Sequence, residues 1–174
     1  MTDVRSTPLP VAVNRVGQTE SLDQVVVPLE KLTGQIPEGL RQKLSGVGWL
    51  GHPLHQALVH LPLGSWMAAS IMDLAGRPEE ARDLTVLGVL AAVPAALTGV
   101  ADWTELSPDN KRAGVVHAAA NSVALSLYIG STVARCGGRH RLGRKLGLLG
   151  LATVAAAGAI GGDLARRRSA ALSG

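Results

Sequence analysis

Four apolar stretches, each long enough to cross a bilayer, constrain this chain more than any other feature. They run from about Leu54 to Ala75, Leu84 to Ala101, Ala113 to Ala134 and Leu146 to Ala165. A spanning helix needs roughly 20 apolar residues, because in hydrocarbon every main-chain N–H and C=O must be satisfied within the segment. No charged residue occurs between Asp83 and Asp102, nor between Arg112 and Arg135. A helix on the surface of a soluble core carries its apolar residues on one side only, whereas these stretches are apolar all round. The expected fold is all-α, a four-transmembrane-helix bundle with a short amphipathic N-terminal extension. The divisions expected are an extension over 1–47, a membrane domain over 48–165 and a basic tail over 166–174. The lone Cys136 excludes a disulfide framework and any Cys-based metal site, which leaves imidazole and carboxylate as candidate ligands.

The first 50 residues carry Pro8, Pro10, Pro28, Pro37 and mixed charge. No basic segment precedes an apolar run of 7 to 15 residues, so this region is not expected to be a cleaved signal peptide. Ser21 and Gln24 are spaced as a capping box, and Leu22, Val25, Val26, Leu29 and Leu32 recur at helical spacing. Pro37, followed by Leu40 and Leu44 among Arg41 and Lys43, predicts a second short amphipathic helix. Both are expected on the membrane surface or over the end of the bundle. Lysines and arginines beside the spans divide equally between the two faces, seven to each. Arg5, Arg15 and Lys31 tip the balance towards cytoplasmic N- and C-termini in a bacterial inner membrane.

Alternation of the spans brings His52, His55, His60, Asp102, Glu105, His117, Asn121 and Asp163 to one membrane face. Polar side chains in or near a span turn towards the bundle interior, where they bind or bond something. At about 100° per residue, Gln56, His60 and Met67 share one side of the first span, with His55 turned away from them. His117, Asn121, Tyr128 and Ser131 form a polar stripe on the third. His60 and His117 fall at similar depth, and two facing imidazoles are what axial ligation of a haem b requires. The alternative is that these histidines only hydrogen-bond neighbouring helices. His52, before Pro53, reads as a helix-start residue. No bound metal follows from these residues alone, and a metal transporter would need acidic residues deep in the spans, where there are none.

Gly46, Gly48 and Gly51 match G-x-G-x-x-G, but no strand precedes them, so the nucleotide-binding context is missing. Trp49 and Trp103 read as interfacial anchors. The basic pI carries no nucleic-acid signal, because the basic residues bracket the spans. Gly158 and Gly162 form G-x-x-x-G in the fourth span and predict a close helix approach there, while Pro62 and Pro94 predict kinks near Leu58 and Leu90.

Gly51-His52-Pro53-Leu54-His55, Leu58 to Gly64 and Asp73-Leu74 resemble the His-Pro-Leu-His-Pro signature of a bacterial four-helix membrane family, domain of unknown function 2231. Val93 to Gly99, Asp102-Trp103, Gly114, His117, Ala118, Asn121 and Leu125 continue the resemblance, which covers about residues 48 to 165. Some members continue into a Rieske iron-sulfur domain. The resemblance therefore implies, for a chain ending at Gly174, a separate Rieske or other redox protein as partner. The chain departs from the family pattern at Gln56, where the pattern has Pro, and at Asp163, where close relatives carry His; Asp163 is a poor haem or soft-metal ligand. The expectation is a non-catalytic, bilayer-embedded component associated with electron transfer, with a structural or assembly scaffold as the alternative.

Overall fold

The computed structural model describes residues 8–172, and Arg5 and residues 173 and 174 lie outside the described residues. Among the described residues nine α-helices follow one another: α1 Pro8–Gly17, α2 Asp23–Thr33, α3 Glu38–Ser45, α4 Val47–Leu50, α5 Leu54–Leu58, α6 His60–Leu74, α7 Pro78–Thr104, α8 Pro108–Cys136 and α9 His140–Leu172. Four segments are long and apolar enough to cross a membrane: Leu54–Leu74, Pro78–Thr104, Pro108–Cys136 and His140–Arg166. The protein is thus an all-α membrane bundle, and there is no strand among the described residues.

The first span is interrupted at Val59, between α5 and α6. Pro62 has no N–H to give the Leu58 carbonyl, and the helix resumes with a Leu63 N–H donating to Val59 O at 3.3 Å. Pro94 does not interrupt α7. There the Thr98 hydroxyl donates to the carbonyls of Pro94 and Ala95, 3.0 and 2.9 Å away.

α5–α7 form one hairpin and α8–α9 a second, and the second repeats the first 62 positions on in sequence. Both turns close alike. Gly76 and Gly138 each take φ of 72°, where a side chain would strain the backbone. Arg77 N–H bonds Met72 O at 2.9 Å, and Arg139 N–H bonds Ala134 O at 2.8 Å. The two hairpins run in the same direction across the membrane, so a pseudo-twofold axis lies along its normal.

Along that axis the first and third spans meet in layers. Trp66 stacks on Tyr128 with centroids 3.9 Å apart and planes 6° from parallel. Each ring lies over a glycine of its own hairpin, Trp66 over Gly88 and Tyr128 over Gly150. Towards the hairpin turns, Asp73 and Arg135 form a bidentate ion pair at 2.9 and 2.5 Å, with side chains 8% and 2% exposed. Ala124 and Val154 complete the central core.

The glycines that admit close packing differ from those expected. Gly158 and Gly162 are exposed, with nothing within 4 Å of where a Cβ would stand among the described residues. Gly143, Gly150 and Gly161 take the close contacts instead, because a helix spacing of four selects a face without saying which face turns inward.

The extension folds over the end of the bundle nearest the span-one start. Val13 of α1 is buried against Ala113 and Leu164. Arg112 donates to both carboxylate oxygens of Asp23, at 2.8 and 2.7 Å, and to Gly17 O at 2.9 Å. Lys111 pairs with Glu30 at 2.6 Å. The expected capping box does not form: Ser21 lies in a 3-10 turn, and α2 starts without a side-chain cap. α1 begins with two prolines in its first turn, a place where helices tolerate them.

Candidate functional site

His55 enters the bundle at the start of α5, where Pro53 and Leu54 turn the chain into the helix. Its Nδ1 lies 2.7 Å from Ala95 O of α7, and the ring rests on Gly99 one turn further along. His117 of α8 does the same on α9, with Nδ1 2.9 Å from Ala157 O and the ring on Gly161. Because a carbonyl can only accept, both imidazoles carry their proton on Nδ1 when neutral. Asn121 Nδ2, one turn along α8, then donates to His117 Nε2 at 3.0 Å and to its carbonyl at 3.0 Å. The two histidines are equivalent under the 62-residue repeat and lie within electrostatic reach of each other.

A Cβ on Gly161 would stand 2.5 Å from His117 Cε1, and one on Gly99 would stand 3.0 Å from His55 Cε1. The rings therefore fill the space where neighbouring helices would otherwise touch. At 1.5 Å per helical residue, the aromatic layer lies about 16 Å, and the ionic layer about 27 Å, along the axis from the histidines. The three layers together approach the roughly 30 Å thickness of a bilayer's hydrocarbon.

The other residues picked out in the sequence are dispersed. His60 is exposed on the outside of α6, with Nδ1 3.3 Å from Ala57 O of its own chain segment, and Met67 is exposed beside it. The face shared by His60 and Met67 thus points outward, so His60 does not meet His117; the inward histidine is His55. His52 is exposed and contacts Pro53 O at 3.2 Å, while Pro53 itself occupies the start of α5. Gln56 is half-buried, as is Asp102 near the end of α7. Asp163 is buried and pairs with Arg166. Arg112 is taken by Asp23 rather than by Asp102. On α8 the polar stripe does face inward: His117 and Asn121 are half-buried, and Tyr128 and Ser131 are buried.

Asp73 and Arg135, the ionic layer, were not among the residues expected to act together. Arg135 Nε donates to Ser131 Oγ at 3.1 Å, and that hydroxyl donates to Gly143 O at 2.7 Å. Asp73 and Arg135 each precede a turn glycine by three residues, and that recurrence was the available signal.

Among the hollows on the surface of the described residues are ones of about 390 and 540 Å³. The first is a groove by Ser126, Gly130 and Leu146, the second a polar recess between Glu30, Arg41 and Lys111 under the extension. Neither is lined by a histidine. Among the described residues, no three His, Cys, Asp or Glu side chains lie close enough together to hold a metal ion. Outside the spans, the Arg112 guanidinium bonded to Asp23 holds that carboxyl below its ordinary value.

No curated protein and no solved structure matches the chain. A family model described as predicted membrane protein (DUF2231) matches residues 51–172, which takes in both hairpins and both inward histidines. On that match and on its four apolar spans, the chain belongs to this family of membrane proteins.

Proposed function

We propose that the protein is a non-catalytic, multi-pass scaffold or assembly component of a membrane complex, in which His55 and His117 tie helices together. One observation carries this reading: each inward histidine donates its Nδ1 proton to a main-chain carbonyl of the next helix and rests on a glycine of that helix. In hydrocarbon such a bond fixes helix register and contributes about 0.6 to 2 kcal/mol. Gly158 and Gly162, exposed on α9, offer a small-residue face that a partner's helix can approach. His55→Ala and His117→Ala should each lower the unfolding temperature in detergent and leave the absorption spectrum unchanged. A Soret band in the wild-type protein that either substitution abolishes would overturn this assignment.

That outcome would support the second reading, an electron-transfer component holding a haem b and working with a separate Rieske or other redox protein. It is favoured by one feature: an Nδ1–H bonded to a carbonyl fixes the tautomer and orientation of an imidazole that ligates through Nε2. It ranks second because Asn121 holds the Nε2 of His117, and Gly161 and Gly99 are filled by the rings themselves. A macrocycle between His55 and His117 requires Asn121 to turn away and the spans to part.

A further inference from the structure

The layers on the pseudo-twofold axis differ in one respect. His55 and His117 are identical side chains, each on a carbonyl and a glycine of the next helix, though Asn121 beside His117 answers to Val59, and Trp66 and Tyr128 are both aromatic rings over glycines. Neither layer sets unlike charges against each other. At the third, equivalent positions carry opposite charges, Asp73 and Arg135, joined by two hydrogen bonds and nearly excluded from solvent.

The seats have been adapted to match. Arg135 uses Ser131 as an acceptor for Nε, and the counterpart of Ser131 is Ala69. A Cβ on Gly143 would collide with the stem of Arg135, while its counterpart in the first hairpin is Ala81, where the position answering to Arg135 holds the shorter Asp73. The set Ser131, Arg135, Gly143 thus answers in sequence the set Ala69, Asp73, Ala81.

A chain made of two near-equivalent hairpins faces a specificity problem. Hairpins of two copies can pair like with like, and the histidine and aromatic layers would accept that arrangement. Like pairing would bury Asp73 against Asp73 and Arg135 against Arg135. A buried like-charge pair is strongly unfavourable, which is how charged positions select partners in other helical assemblies. We propose that the Asp73–Arg135 pair is a partner-selecting device, which makes each hairpin take the other as its partner and excludes pairing between equal hairpins of two copies.

The test uses full-length chains in detergent. In the first variant, A69S/D73R/A81G and S131A/R135D/G143A are combined, so that the two seats change places. It should keep the oligomeric state of the wild type, with a yield of dispersed protein within about twofold of it, because the pair is intact. The second variant carries only A69S/D73R/A81G and the third only S131A/R135D/G143A; each opposes like charges within its chain. Each alone should lose about tenfold or more of its dispersed yield, since an unpaired buried charge outweighs a tenfold change in the folding equilibrium. Co-expressed with different tags, they should rescue one another and co-purify as a one-to-one dimer with exchanged hairpins. Wild-type yield of either chain alone, failure of the two to co-purify, or failure of the seat-exchanged chain to fold would overturn the proposal.

Discussion

At the scale of single residues, the bundle is decided by where a ring meets a missing Cβ. Replacing Gly161 by Ala pushes a methyl group into the His117 imidazole, which has no vacant side to move to because Ala157 O and Asn121 hold it. The expected cost is about 2 kcal/mol, seen as a lower unfolding temperature. Gly158→Ala meets open space, and its effect should stay within about 0.5 kcal/mol of zero or be stabilising through helix propensity. A measured order opposite to this would show that α9 is rotated relative to α8. Tyr128 supplies a second contrast. Its ring is stacked and 1% exposed, yet its hydroxyl has no hydrogen-bond partner among the described residues. Tyr128→Phe keeps the ring and removes a buried polar atom, so stability should be unchanged or higher. Tyr128→Ala should cost about 3 to 5 kcal/mol by opening a cavity under Trp66.

At the scale of elements, the N-terminal arm is attached to the bundle by side chains from two adjacent residues, Lys111 and Arg112, at the start of α8. Arg112→Gln removes both bonds to Asp23, and hydrogen exchange over Asp23–Thr33 should then accelerate while the spans keep their protection. The clasp is pH-dependent in a defined direction. The Asp23 carboxyl is held below its ordinary value, so its contribution is present above the unfolded value of about 4 and is lost as the pH falls through the lower folded value. Protection of α2, taken relative to the intrinsic amide exchange rate at each pH, should therefore fall in acid before that of the spans, and it should also fall with salt, because Asp23 is partly exposed. Equal protection at pH 7 and pH 3 would show that Val13 and Val26, buried in α1 and α2, hold the arm without the clasp.

At the scale of the molecule, two parallel hairpins and an even number of spans put the extension and the end of α9 on one side of the membrane. The charge balance across that membrane is nearly even, with Arg15 and Lys31 favouring the arm side as the cytoplasmic one. A reporter active only in the cytoplasm should therefore be active when fused after Gly174 and inactive when inserted at Gly138. The reverse pattern would place the histidine layer outside the cytoplasm. In either orientation the axis carries imidazole, aromatic and ionic layers from one face to the other, each contributed equally by the two hairpins.

What the sequence determined by itself was the number of spans, the apolar middle of each and the polar stripe of α8, because hydrocarbon forces apolar length and helical period into view in each segment separately; the helices themselves run further, spans two to four starting at Pro78, Pro108 and His140 rather than at Leu84, Ala113 and Leu146. The repeat was also written there, in His55 and His117, Gly76 and Gly138, Gly88 and Gly150, Gly99 and Gly161, yet divergence at most other positions hid it. Only the tertiary structure decided that His55, not His60, faces inward. Val59 keeps right-handed helical angles, so His55 and His60 stay about 140° apart in phase, and the sequence did not say which of the two sides turns inward. It also decided that Gly161 rather than Gly158 and Gly162 receives a neighbour, and that Asp73 meets Arg135. Those outcomes depend on the rotation of each helix about its own axis. In a segment apolar on every side the sequence leaves that rotation unspecified, and it is fixed only when the rings, the glycines and the ion pair fit together.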